Sequence, residues 1–65
     1  MAYLFRIFEQ EDGSWSCRRG RDDLDRFGDL GDALTHTVDI ASEDAPSEVF
    51  VHLVDGRVQP FATFG

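Results

Sequence analysis

Cys17, His36, His52, Ser14 and Ser16 are the residues that could serve as nucleophile or base, and thirteen Asp and Glu surround them. A thiol or hydroxyl becomes a strong nucleophile when an imidazole takes its proton. Cys17, however, alternates with Trp15 along a strand-like stretch, which puts the thiol on a core face as a small hydrophobe. His36 lies one helical turn after Asp32 and three residues before Asp39. That spacing suits a carboxylate-oriented general base. On an exposed helix face it yields only a charge-assisted contact of roughly 0.2–0.5 kcal/mol. His52, between Phe50 and Val54, reads as a packed histidine. Catalysis is not expected.

Metal chemistry has equally little support. Asp22, Asp23 and Asp25 resemble the start of an acidic calcium loop, but the distant bidentate Glu is missing. One cysteine makes neither a zinc set nor an internal disulfide. The glycines at 13, 20, 28, 31 and 56 are not at phosphate-loop spacing. No metal and no cofactor is expected.

The elements that would position these residues follow from periodicity. Residues 2–9 read as a strand with Tyr3, Phe5 and Ile7 on one face. Asp12-Gly13 suits a tight type I′ hairpin turn. Residues 14–19 return as a second strand. Residues 20–23 read as a turn or loop, and residues 25–28 as a short third strand around Phe27. Asp29 is an N-cap, and Asp32 in the first turn suits the positive end of the helix dipole. Leu30, Ala33, Leu34, Thr37, Val38, Ile40 and Ala41 then fall within an arc of about 160°. Pro46 stops this helix near Ser42 or Glu43. Residues 48–54 alternate as a strand, and Asp55-Gly56 makes a second hairpin of the same kind. Residues 57–64 form a last strand that Pro60 places at a sheet edge. The expected fold is α+β over a single domain, residues 1–65: an antiparallel sheet of four to five strands with one helix on one face, in the order β-β-(β)-α-β-β.

Charge is distributed unevenly over this framework. The net charge is −7 with no Lys present, yet residues 22–48 hold nine acids against Arg26 alone. The nine are Asp22, Asp23, Asp25, Asp29, Asp32, Asp39, Glu43, Asp44 and Glu48. Hydrophobic residues at 42% make the chain too apolar for a disordered acidic tail. No apolar run approaches the roughly 18 residues of a membrane span. Residues 1–6 have none of the features of a signal peptide, so a cytoplasmic protein is expected. Arg18, Arg19 and Arg21 form a local basic patch beside Trp15, but the acidic field around it argues against direct nucleic-acid binding.

Glu43 and Asp44 sit where the helix dipole disfavours negative charge, and Asp32, Asp39 and Glu43 project within about 40° of one another. Concentrated like charge weakens a small fold, so it points to a basic partner. Acids three or four apart on a helix are roughly 5–6 Å from each other. That spacing is similar to the separation of phosphates along a nucleic-acid strand.

In size, acidity and lack of a catalytic motif, the chain resembles the small anti-CRISPR and anti-restriction inhibitors encoded by phages and mobile elements. Several of those imitate nucleic acid on basic surfaces of defence complexes. The resemblance rests on residues 22–48. The order Gly13-Ser14-Trp15, Phe27 before the helix, Val51-His52 and Asp55-Gly56-Arg57-Val58 is similar to that of small bacterial β-β-α-β-β domains. It is similar, more loosely, to HicB-like antitoxin domains, from which the final hairpin departs. The expectation is a monomeric, non-enzymatic acidic inhibitor. Its nine acids would contact a basic nucleic-acid-binding protein or complex, with a CRISPR effector subunit as one example. The competing expectation is a HicB-antitoxin-like accessory module whose acidity serves solubility.

Overall fold

Aromatic and branched residues dominate the first strand, which takes the central place in the sheet. The computed structural model describes residues 2–65. Its elements are β1 (Tyr3–Glu9), β2 (Trp15–Arg19), β3 (Asp22–Phe27), α1 (Leu30–Glu43), β4 (Ser47–His52) and β5 (Val58–Phe64). The strands form one five-stranded sheet in the order β3-β2-β1-β4-β5. The helix packs on one face of it, as an α+β fold requires.

The expectation of a wholly antiparallel sheet is corrected at its centre. β1 and β4 are parallel, with Phe5 opposite Val49 and Ile7 opposite Val51. Hairpins govern only neighbours in sequence, whereas β3 reaches β4 through the helix. That crossover returns the chain to the end of the sheet where β1 begins, so the two strands run the same way. Tyr3 N–H donates to the Pro46 carbonyl at 3.0 Å where they meet. The third strand is also longer than expected. It starts at Asp22 and pairs with β2 throughout, with a bulge opposite Cys17 and Arg18.

Both hairpin turns differ from type I′. That type needs positive φ at two successive residues, and among the described residues only Gly13 (88°), Gly20 (61°) and Gly56 (94°) have it. The loops are three residues long. Gly13 N–H donates to the Gln10 carbonyl and Gly56 N–H to the Leu53 carbonyl, both at 3.0 Å. This is the pattern of a tight turn followed by a left-handed glycine. Asp12 and Asp55 instead brace the turns with their side chains. Asp12 Oδ1 accepts from Ser14 N–H at 2.9 Å, and Asp55 Oδ1 from Arg57 N–H at 3.0 Å.

The helix begins as its sequence dictates. Asp29 is extended, and its Oδ1 accepts the Asp32 N–H at 2.8 Å. At the other end Ser47 is fully buried and its hydroxyl donates to the Ala41 carbonyl at 2.6 Å, tying the last turn to β4. Between the two layers lie Phe5, Ile7, Ala33, Ala41 and Val49, all fully buried. Small residues on the helix side let the backbone approach the large side chains of β1. Full burial of Phe5 and of Ile7 contributes about 1.5–3 kcal/mol each. Trp15, Leu24, Phe27, Leu30, Leu34, Ile40, Ala62 and Phe64 close the margins. Tyr3, at the end of β1, is half exposed.

Candidate functional site

Residues able to do chemistry are dispersed by this fold. Cys17 is fully buried under the helix, where its sulfur accepts from the Thr37 hydroxyl at 3.1 Å. Burial pushes the thiol pKa up, and Thr37 opposes this only in part. His36 faces Asp25 across the seam between α1 and β3, with Nε2 3.4 Å from Oδ2 and its ring tilted on Phe27. His52 is on the opposite face of the sheet, stacked on Phe8 with centroids 4.4 Å apart. Burial and then Arg6 hold it below the ordinary imidazole range. Ser14 is engaged by Asp12 in the first hairpin, and the Ser16 hydroxyl accepts from Gln10 at 3.1 Å. Among the described residues, no three metal-ligating side chains converge. Nor is any helix among the described residues long and apolar enough to cross a membrane.

The nine acids separate into three groups. Asp29, Asp32, Asp39 and Glu43 are exposed along α1, and exposed Asp25 extends them onto the neighbouring edge strand. The helix itself contains no Lys or Arg to answer them. Asp22 and Asp44 gather at the end of the molecule with Arg19 and Arg21, around a shallow cleft that Tyr3 and Leu4 also line. There Arg19 Nη1 lies 3.2 Å from Asp44 Oδ2. Asp23 and Glu48 belong to the other face of the sheet, because strand alternation turns them away from the helix. Asp23 pairs there with Arg18 at 2.6 Å.

The arginines are regrouped in the same way. Arg18, Arg19 and Arg21 do not form one patch. Arg18 stands directly opposite Arg6 on the face without the helix, and its guanidinium lies 5.2 Å from the Phe8 ring centroid. Arg26 shares that face, opposite Ser16. The acids along the helix therefore lie on the side opposite Arg6, Arg18 and Arg26, which share the uncovered sheet with Asp23 and Glu48.

One feature was not legible as a site in the sequence. The β4–β5 pairing slips so that Val49 faces Ala62 and Phe50 faces Pro60, leaving Phe61 as the extra residue of a bulge. Phe61 remains 51% exposed and lines a shallow groove with Leu34, Thr35, Val38 and Asp39 of the helix. The chain matches no protein-family model, no curated protein and no solved structure.

Proposed function

We propose that this protein is a non-enzymatic inhibitor that presents its helix to a basic nucleic-acid-binding surface of a bacterial defence or DNA-handling complex, in the manner of an anti-CRISPR protein. One observation carries the reading. Asp32, Asp39 and Glu43 are exposed on one helix and, among the described residues, none of the three is ion-paired. A fold of this size bears unneutralised like charge at some cost to stability, and a basic partner offsets that cost on binding. Asp39 and Glu43, one turn apart, with Asp32 about two turns before Asp39 on the same side, offer Arg and Lys side chains contacts like those of a phosphate row. Asp25 and Asp29 extend the row. Asp22 and Asp44 lie at its end, while Asp23 and Glu48 on the far face would take no part.

The test is a triple variant, Asp32→Asn, Asp39→Asn and Glu43→Gln, which leaves the core untouched. A partner is recovered from bacterial lysate by pull-down, and its affinity for both proteins is measured across a salt series. The expected result is weaker binding, a flatter salt dependence and an unchanged or higher melting temperature for the variant. A nucleic acid using the same groove should compete with the wild type. Unchanged salt slope, or simultaneous binding of protein and nucleic acid, would overturn the proposal in favour of an accessory module with solubilising acidity.

A further inference from the structure

We infer that the groove between α1 and β5 is the anchor of the same binding surface, taking one apolar side chain from a basic segment of the partner protein. This inference rests on the acidic-helix reading above and names the chemistry of what docks there. A regular edge strand would turn Phe61 away from the helix, since neighbouring residues alternate faces and Ala62 packs towards the core. The bulge re-aims it, so that its ring stands beside Leu34 and Val38. Thr35 adds little polarity to the groove, because its hydroxyl is engaged with the Gly31 carbonyl at 3.0 Å. The result is a hydrocarbon floor left half open to water in a protein with few apolar residues to spare.

Charge at the rim selects the occupant. Asp39 belongs both to the groove and to the row formed with Asp32 and Glu43. A segment lying along the helix would therefore meet carboxylates on one flank and an apolar slot on the other. The complementary ligand carries Arg or Lys interspersed with a Leu-sized side chain. A purely phosphate-like surface would have no use for the slot, whereas interfaces gain most of their affinity from one such buried anchor ringed by polar contacts.

Two arginine-rich peptides of equal length and charge provide the test, one with spaced leucines and the other with serines at those positions. The leucine peptide should bind the wild-type protein about tenfold more tightly or better. It should shift the methyl resonances of Leu34 and Val38 and the ring resonances of Phe61. Phe61→Ser should abolish that preference and leave the serine peptide unaffected. Val38→Thr, a milder change on the helix side of the groove, should reduce it in the same sense if Phe61→Ser fails to fold. Equal affinity of the two peptides for the wild type would overturn the inference, as would leucine-induced shifts confined to Phe8 and Phe50 on the far face. The acidic triple variant separates the two readings. If it weakens both peptides while leucine confers no advantage, the helix reading stands and the anchor falls. If the leucine preference persists and neither peptide senses the triple variant, the anchor stands without the acidic row. Absence of binding by either peptide overturns both.

Discussion

The Thr37 hydroxyl donates to the sulfur of Cys17 at 3.1 Å, and both side chains are fully buried between α1 and β2. Burial, with a smaller push from the Asp25 charge, keeps the thiol protonated beyond its ordinary range. A folded-state pKa raised above the unfolded one means that the fold holds the proton more tightly. The resulting stability is fully present below the unfolded pKa of about 8.5 and is lost as pH rises through the higher folded value. The urea midpoint of the wild type should therefore fall between neutral and strongly alkaline pH more steeply than that of Cys17→Ala. Ellman's reagent should modify the native thiol only as fast as the protein opens. Rapid labelling of the folded protein would contradict the enclosed position.

Gly13 has a φ of 88° and open space where a Cβ would stand, so backbone conformation alone penalises replacement. Gly13→Val should cost about 1–2 kcal/mol. Gly13→Asn should cost clearly less, since Asn tolerates the left-handed region. Urea denaturation of the two variants checks the order. Equal losses would show that the loop rearranges instead of bearing the strain.

Asp29 acts on the helix through both a hydrogen bond and a charge. Asp29→Ala should lower stability by about 1 kcal/mol. Asp29→Asn retains an oxygen for the Asp32 N–H and should remain within a few tenths of wild type, about the range of surface substitutions. Thermal melts followed by circular dichroism distinguish them. If Asn behaves like Ala, the helix dipole and not the cap bond is what Asp29 serves.

At the opposite end of the helix, Asp44 is the C-cap and carries a charge that the dipole disfavours. Its partner Arg19 compensates from the end of β2. Arg19→Ala should therefore cost more than Asp44→Asn, which removes the pair and the repulsion together. The pair is partly exposed, so a double-mutant cycle should give a coupling of about 0.2–1 kcal/mol. Destabilisation by Asp44→Asn equal to that by Arg19→Ala would show that the dipole is irrelevant here.

The helix was legible because its signals are local, whereas Asp12-Gly13 and Asp55-Gly56 marked the hairpins but not their turn type. Asp29, the apolar arc from Leu30 to Ala41, and Pro46 define α1 within a residue of its observed limits. Strand alternation likewise put Cys17 with Trp15 towards the core. The start of β3 was hidden because Asp22, Asp23 and Asp25 have little strand propensity of their own. Pairing with β2 holds them extended. The parallel join of β1 to β4 depends on where the helix deposits the chain, which no turn motif encodes. Sequence proximity also misled about the acids and arginines. Asp23 and Asp25 are two residues apart yet serve opposite faces, since the extra residue of the bulge, Leu24, changes the alternation. Arg6 and Arg18 are far apart in the chain and stand face to face. Phe61 could be read as a strand residue, but its direction follows from a register slip visible only once β4 and β5 are paired.

Five of the nine acids lie on the helix side, while Arg6, Arg18 and Arg26 outnumber Asp23 and Glu48 on the uncovered sheet, and this imbalance gives the molecule an electric dipole across its thickness. In the field of a cationic surface such a body experiences a torque as well as an attraction, and it rotates until α1 leads. Association is normally slowed by the many orientations in which two proteins collide unproductively. Pre-alignment removes part of that search before any side chain touches, and salt weakens it over a distance of about 10 Å at 0.1 M. On the proposed function, Arg6, Arg18 and Arg26, although remote from the contact, would thus help to decide which way the protein arrives. Neutralising them would slow capture while leaving the lifetime of the finished complex unchanged.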